Sequence, residues 1–100
     1  MVQNDRRILA RIRKEARLVS DFINNINYND FLLDEKTKRA VTQTLAIIGE
    51  LSRGLTDAVK SQYTKIPWAA IRKTRNVITH EYGSVDFETV WYTALIDIPT

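Results

Sequence analysis

The stretch DEKTKRAVTQTLAIIGELSRG, residues 34–54, decides the fold class, because its apolar residues repeat with the period of an α-helix. Spacings of three and four residues put them on one helical face. Gly49 lies inside this predicted helix, where glycine costs about 1 kcal/mol relative to alanine, so we expect a second helix to approach closely there. Gly54 occupies the position of a residue that ends a helix. The predicted face comprises Val41, Thr44, Leu45, Ile48, Leu51 and Leu55.

On the N-terminal side, residues 5–25 form a second predicted amphipathic helix, for which Asn4 is a suitable N-cap. The asparagine-rich stretch 24–29 is expected to end it, because asparagine side chains compete for backbone hydrogen bonds. The apolar face of this helix comprises Ile8, Ile12, Ala16, Val19, Ile23 and Ile26.

On the C-terminal side, the pattern predicts a short helix over 57–63 and a longer helix over 67–82. Proline is favoured in the first turn of a helix, as Pro67 would be, and Gly83 is expected to close the helix. Two predicted helices therefore follow the central stretch, and the last segment of the chain adds a third.

The last segment predicts a fifth helix, which Asp86 caps and Pro99 stops. Amphipathic helices joined by short connections form antiparallel bundles. We therefore predict an all-α antiparallel bundle of about five helices in a single domain over residues 1–100. The face of the fifth helix comprises Phe87, Val90, Trp91, Ala94, Leu95 and Ile98.

Composition narrows the function classes. The 100 residues include no cysteine and one histidine, which excludes disulfides and argues against a zinc site, so no metal and no cofactor are expected. The first residues lack the apolar region of a signal peptide, and no apolar run reaches the length of a membrane span. We therefore expect a cytoplasmic protein with no membrane partner. The net charge of +3 is compatible with a nucleic-acid partner but does not decide it.

The residues whose side chains could take part in catalysis lie on one side of the fourth predicted helix. Histidine exchanges protons near neutral pH, and arginine binds phosphate through two hydrogen bonds and stabilises developing negative charge. Cleavage of RNA needs only these two roles, since the 2′-hydroxyl of the substrate can be the nucleophile. Ala70, Ile71, Val77 and Ile78 fall outside the polar arc and are predicted to face the core. The polar arc comprises Arg72, Arg75, Asn76, Thr79, His80 and Tyr82.

A single helix does not aim these groups at one point. Arg75 and His80 lie about 140° apart on a straight helix. Two copies about a two-fold axis could bring both residues from both chains to one cleft, so the spacing favours a homodimer. The alternative from chemistry alone is that an arginine and a histidine on a polar helix face are ordinary surface residues.

From Phe31 onward the chain resembles the HepT-like toxin family of the HEPN superfamily, the family of HepT in MntA–HepT toxin–antitoxin systems. The resemblance covers roughly the last seventy residues, in order, with several aromatic or proline-bearing pieces. Those pieces are Phe31-Leu32, Ile47-Ile48-Gly49-Glu50, Ile66-Pro67-Trp68, Arg75-Asn76 with His80 and Tyr82, Val85-Asp86, Val90-Trp91 and Asp97-Ile98-Pro99.

The resemblance implies a dimeric, metal-independent endoribonuclease toxin with RNA as substrate. Its R-x4-H motif corresponds to Arg75 and His80 as catalytic residues, with Asn76 as the polar residue after the arginine. It further implies a MntA-like nucleotidyltransferase antitoxin that attaches AMP to the tyrosine of the H-x-Y motif, here Tyr82. Arg72 and Thr79 are expected to support substrate binding.

Two features depart from the family pattern. Family members often have glycine between the histidine and the tyrosine, whereas this chain has Glu81, whose charge would weaken RNA binding slightly. Members also often continue beyond the point where this chain ends, so a short C-terminus is expected.

Several residues have a simpler interpretation. Trp68 and Trp91 are predicted to be core anchors with a polar edge, in preference to platforms for nucleotide stacking. The basic residues of the first helix are predicted to form a solvated face, and an RNA track is the alternative. Those basic residues are Arg6, Arg7, Arg11, Arg13, Lys14 and Arg17.

Two other functions stay open at this point. A non-catalytic HEPN subunit would bind a nucleotide or the nucleotidyltransferase partner, and it would be expected to lack Arg75 or His80, both of which are present. A plain helical adaptor would leave Arg75, Asn76, His80 and Tyr82 scattered and individually exposed.

Overall fold

Six α-helices form within the part of the chain that the structure describes. The computed structural model describes residues 3–80 and 85–96, with the side chains of 77–80 and 96 left out of that description. No strand occurs within those two ranges, so the predicted all-α class is confirmed. None of the described helices is long and apolar enough to cross a membrane. The helices are α1 (Gln3–Phe22), α2 (Tyr28–Leu33), α3 (Glu35–Ser52), α4 (Asp57–Gln62), α5 (Trp68–His80) and α6 (Phe87–Ile96).

Helix α3 is the centre of the bundle and packs most extensively against α1 and α5. Its predicted apolar face is confirmed, since Val41, Leu45 and Ile48 are fully buried. Asp34 is its N-cap and accepts hydrogen bonds from the backbone N–H and the hydroxyl of Thr37 at 3.0 and 2.6 Å. These hydrogen bonds stabilise the charged carboxylate and therefore lower the pKa of Asp34.

Helix α1 buries the face that its periodicity predicts, with one shift. Ile12, Ala16 and Val19 are buried, but Leu9 is more deeply buried than Ile8, which only packs against the edge of the core. The helix ends three residues earlier than predicted, at Phe22. Asn25 then adopts a left-handed backbone with a φ of 65°, which asparagine tolerates better than most residues.

The asparagine-rich segment ends α1 as predicted, but it also starts a helix that the sequence reading missed. The side chain of Asn27 accepts a hydrogen bond from the Asp30 backbone N–H at 2.8 Å, and Asp30 accepts one from the Asn27 backbone, a capping box. The resulting short helix α2 places Phe31 in the core with no exposed surface. The described residues therefore form six helices where about five were predicted, because the asparagine-rich segment that ends α1 also begins α2.

A buried carboxyl group fastens α1 to the start of α4. Asp5 has 1% of its surface exposed, and it accepts hydrogen bonds from the backbone N–H and the hydroxyl of Thr56, both at 3.0 Å. Thr56 is the N-cap of α4 and accepts in turn from the Val59 N–H at 3.3 Å. One threonine hydroxyl thus joins two helix N-termini.

Gly54 follows the C-cap of α3 as predicted, but it does so without a left-handed backbone, since no described glycine has a positive φ. A Cβ atom at Gly54 would lie 2.8 Å from Cδ1 of Ile8. The glycine therefore makes room for the α1 side chain that packs over the end of α3.

Helix α6 packs mainly against α3 and α5, and it also contacts α1 and α2. Asp86 caps it as predicted, and hydrogen bonds from Thr89 lower the pKa of that carboxyl group. Trp91 is buried and its ring centroid lies 5.0 Å from that of Phe31, so this tryptophan is a core residue, as predicted. Leu95, predicted on the buried face, is instead 52% exposed. Ile98 and Pro99 lie outside the described residues.

The remaining tryptophan fixes the start of α5. The indole N–H of Trp68 lies 3.2 Å from two backbone carbonyls at the end of α4, those of Lys60 and Tyr63. Its ring packs against the core from a half-buried position. Trp68 is therefore a core anchor with a satisfied polar edge, as predicted, and it sets where α5 begins relative to α4.

Candidate active site

Helix α5 separates a buried face from a polar one along the part whose side chains are described. Ile71 is fully buried and Thr74 is nearly so, whereas Arg72 and Asn76 are exposed. Arg75 lies between the two faces, with 25% of its side chain exposed. The predicted core position of Ile71 is confirmed, and Arg72 and Asn76 lie on the exposed side as predicted. Val77 and Ile78, predicted on the core face, have side chains outside the described set.

Gly49 lets α3 lie against this part of α5. A Cβ atom there would be 2.9 Å from the Cβ of Arg75 and 3.0 Å from the backbone carbonyl oxygen of Ile71. Real side chains avoid such short separations, so only glycine permits this contact. The close approach predicted at Gly49 is confirmed, and it occurs at the candidate catalytic arginine.

The close approach allows two groups to hold the guanidinium of Arg75. Its Nε–H donates to Oε2 of Glu50 on α3 at 2.9 Å, and its Nη1 donates to Oδ1 of Asn76 at 2.8 Å. One of these acceptors comes from a neighbouring helix and the other from the next residue. Charge-assisted hydrogen bonds of this kind fix both the position and the plane of a guanidinium group.

Glu50 also binds a second arginine. Nη1 of Arg53 lies 3.4 Å from its other oxygen, Oε1. The Arg53–Glu50 pair is exposed on both sides and contributes little to stability, whereas Arg75 is better shielded from water. Two positive groups around one carboxylate leave a local excess of positive charge, which favours binding of a phosphate.

Arg72 adds another positive charge one turn before Arg75 on the same helix. Its side chain is exposed and makes no hydrogen bond or ion pair with any residue in the described part of the chain. An exposed guanidinium on the same side as a fixed one can extend a phosphate-binding surface, because both attract the same backbone anion.

The other predicted site residues lie at the end of this helix or beyond it. Helix α5 continues through Thr79 to His80, which is its last residue, so the backbone spacing assumed for the Arg75–His80 pair is present. The side chains of Thr79 and His80 are outside the described set, and Tyr82 lies outside the described residues altogether. Among the predicted site residues, the structure therefore brings Arg75 and Asn76 into contact.

The hydrogen-bonded group of Arg75, Asn76 and Glu50 differs from what a plain adaptor would present. That hypothesis requires the polar residues of this helix to be scattered and individually exposed. Arg75 and Asn76 are instead joined to each other, and Arg75 is joined to α3.

Glu50 has no role predicted from the sequence, although it contacts the predicted catalytic arginine. The available signal was its neighbour Gly49, since a glycine that admits another helix also brings the next residue on α3 to that contact. Within the described residues, no three histidine, cysteine, aspartate or glutamate side chains lie close enough together to hold a metal ion.

Comparison with known proteins identifies the family. The model of the family described as "Ribonuclease HepT-like" matches residues 12–100. A protein of Thermococcus cleftensis named "Probable ribonuclease HepT" is 34% identical over the whole of this chain and 91% of its own length. A "Putative RNase" of Caldanaerobacter subterraneus subsp. tengcongensis is 31% identical over 98% of this chain and 88% of its own. A "Putative RNase" of Methanocaldococcus jannaschii is 29% identical over 94% of this chain and 78% of its own. No solved structure gives a significant match.

Proposed function

Because the chain belongs to the ribonuclease HepT-like family, we propose that it is a metal-independent endoribonuclease with Arg75 and His80 as its reacting groups. The observation that carries the proposal is the held guanidinium of Arg75, which Glu50 and Asn76 orient on the helix that ends at His80. The names of the relatives support RNA as the substrate. As a toxin, the protein would act on cytoplasmic RNA.

The proposed reaction uses the 2′-hydroxyl of the substrate. The 2′-oxygen bonds to the adjacent phosphorus while the bond from phosphorus to the 5′-oxygen of the next nucleotide breaks. The products are a 2′,3′-cyclic phosphate and a 5′-hydroxyl. Arg75 binds the phosphate oxygens and stabilises their added negative charge, and His80 takes the 2′-proton or supplies the proton of the leaving oxygen.

Three neighbouring side chains support the substrate in this proposal. Asn76 keeps the guanidinium of Arg75 in place and can donate its amide N–H groups to RNA. Arg72 binds a neighbouring phosphate. Thr79, which lies between Arg75 and His80 in sequence, donates its hydroxyl hydrogen to the RNA. None of these roles requires a cofactor.

The active form is proposed to be a homodimer. The angle of about 140° between Arg75 and His80 on one helix keeps a single chain from aiming both at one phosphate, and a two-fold axis near α5 removes that difficulty. Equal mixing of Arg75→Ala and His80→Ala chains tests this, because a hybrid dimer holds one native Arg75 and one native His80 in the shared cleft. Partial recovery of cleavage is expected. No recovery, or sedimentation as a monomer at micromolar concentration, contradicts the dimer.

The cleavage proposal itself is tested with purified protein and RNA in EDTA. Cleavage should continue in EDTA and fall roughly 10²–10⁴-fold in His80→Ala, the cost of losing a proton-transfer group. Arg75→Ala should lose roughly 10²–10³-fold, as does removal of a group that stabilises a developing oxyanion. Lys65→Ala, which removes an exposed positive charge outside α5, is the control and should cleave as the native protein does. Full activity in His80→Ala would refute the assignment, and loss of activity in EDTA with recovery in magnesium would refute metal independence.

We further propose that a MntA-like nucleotidyltransferase silences the protein by attaching AMP to Tyr82. The tyrosine oxygen would bond to the α-phosphorus of ATP as pyrophosphate leaves. The added phosphate could then pair with Arg75 or Arg72 and compete with RNA. Tyr82→Phe should gain no adenylyl mass and should stay active after incubation with the partner and ATP. Equal inactivation of native protein and Tyr82→Phe, with no mass gain, would show inhibition by simple binding.

A further inference from the structure

The exposed side of α1 carries an unusual concentration of positive charge. Helix α1 holds six of the chain's fifteen basic residues and three of its twelve acidic ones, so nine of each remain elsewhere and the whole net charge of +3 is located on this helix. One of the three acidic residues, Asp5, is buried and bonded to Thr56, and Glu15 is half-buried. Asp21 is therefore the one exposed acidic residue of the helix.

All six basic side chains are exposed, on the half of the helix that faces away from the core. On a helical wheel they occupy an arc of about 160°, and the buried residues lie opposite. They extend about 17 Å along the helix axis. We define the α1 basic face by these residues, which are Arg6, Arg7, Arg11, Arg13, Lys14 and Arg17.

None of these six residues forms an ion pair with any other residue in ranges 3–80 and 85–96. Several basic residues elsewhere do have acidic partners. Lys38 and Arg39 pair with Glu35, and Lys60 pairs with Asp57. The α1 basic face thus gathers six exposed positive charges on one helix, and none of them is in an ion pair within those ranges.

The arrangement is unfavourable for α1 by itself. Arg7 and Arg11, and likewise Arg13 and Arg17, are four residues apart, where like charges repel and destabilise a helix. Arg6 also lies near the helix N-terminus, whose partial positive charge repels cations. A solvated face of an ordinary helix mixes both signs of charge, so this face is better suited to contact with a polyanion.

We propose that the α1 basic face binds the RNA backbone at a distance from the residues that cleave it. The identification of the polyanion as RNA rests on the proposed ribonuclease function. Helix α3 lies between α1 and α5, so this surface is separate from the group around Arg75. Arg6, Arg13 and Arg17 lie within about 40° on the wheel and form one row along which successive phosphates can bind. Contacts to phosphate carry no sequence information, so binding along this row should be independent of RNA sequence.

Binding of a 2′-O-methyl oligoribonucleotide, which has no free 2′-hydroxyl and cannot be cleaved, tests the proposal. The double variant Arg13→Gln/Arg17→Gln is compared with Lys36→Gln/Lys65→Gln, which removes the same charge from exposed residues outside α1. For single strands each lost phosphate contact lowers the slope of log affinity against log salt by about 0.7, so the α1 variant should lose about 1.4. Its Kd at 0.1 M salt should rise on the order of tenfold. The control should stay within about twofold of the native protein, and both variants should melt at or above the native temperature.

Equal weakening in both variants overturns the inference, because net charge alone would then explain binding. Native RNA affinity in the α1 variant also overturns it. If the native protein binds poly-L-glutamate, and the α1 variant loses that binding but keeps its RNA affinity, the face belongs to an acidic protein partner. These outcomes are distinct from failure of the proposed function, since the oligonucleotide is not cleaved. A native protein that binds it through α1 but cuts no RNA would refute the ribonuclease proposal alone.

Discussion

Two carboxyl groups join pairs of segments in this bundle, and they do so under opposite conditions. Asp5 is buried and receives two hydrogen bonds from Thr56, a neutral partner. The Glu50 side chain is 58% exposed and receives hydrogen bonds from the guanidinium groups of Arg75 and Arg53. The first link is shielded from water and the second is largely open to it.

The different burial of the two carboxyl groups predicts that they have different roles. A buried hydrogen bond is costly to remove because the group that remains has lost its partner and cannot bind water in its place. An exposed ion pair contributes little to stability because water replaces it. Asp5 should therefore matter for folding. Glu50 should matter for the orientation of Arg75, and hence for catalysis if the proposed function is correct.

The largest expected effect is the loss of folding stability in Asp5→Ala. Loss of two hydrogen bonds at the junction of α1 and α4 should lower the free energy of unfolding by about 2 kcal/mol. Asp5→Asn keeps an acceptor for the Thr56 N–H and a donor for its hydroxyl, so it should cost less than about 1 kcal/mol. Urea denaturation measures both. Equal stability of Asp5→Ala and the native protein would remove the contrast with Glu50.

The next effect is that of Glu50→Ala on catalysis. Without the carboxylate, Arg75 loses its hydrogen bond to α3, and kcat should fall roughly tenfold. The free energy of unfolding should change by less than about 0.5 kcal/mol. Glu50→Gln retains an acceptor for the Arg75 Nε–H and should recover part of kcat.

Glu35→Ala is the matched control for Glu50→Ala. Glu35 is on the same helix, has the same side-chain exposure of 58%, and also lies between two basic residues. It should leave kcat unchanged. If both glutamate variants reduce kcat equally, or if Glu50→Ala unfolds the protein, then Glu50 is not a positioning residue.

The smallest expected effect is that of Gly49→Ala. A methyl group there meets Cβ of Arg75 and the carbonyl of Ile71, neither of which can move freely. The overpacking should exceed the gain of about 1 kcal/mol in helix propensity, leaving a net loss of about 1 kcal/mol and a few-fold decrease in kcat. Gly54→Ala is the comparison, since its methyl group meets only the flexible end of Ile8 and should leave kcat at the native value. Two variants with identical kcat would show that the α3–α5 spacing does not matter.

Much of the fold follows from periodicity alone. Apolar residues repeated at spacings of three and four over several turns fit only a helix with one buried face, as at Val41, Leu45 and Ile48. Helix α2 was missed because it is only six residues long and its start depends on a capping box that also resembles a helix end. The burial of Asp5 was missed because its partner Thr56 is far away in sequence, and only the packed fold brings them together.

The candidate site was predictable in part for the same reason. The polar face of α5 and its arginine could be placed from spacing within one helix. Glu50 contributes from α3, so its role depends on a contact between helices that no local pattern encodes. Gly49 marked where such a contact would occur, but it did not indicate which side chain on α5 would be reached.

The central claim, that this protein cleaves RNA through the substrate's own 2′-hydroxyl, is tested most directly by the chemical ends of the products. A defined RNA is incubated with the native protein in EDTA, and the fragments are identified by mass spectrometry. Attack by the 2′-hydroxyl should give fragments that end in 2′,3′-cyclic phosphate, matched by fragments that begin with 5′-hydroxyl, and both should be absent with His80→Ala. Fragments that begin with 5′-phosphate and end in 3′-hydroxyl would contradict the claim, because those ends require water as the nucleophile.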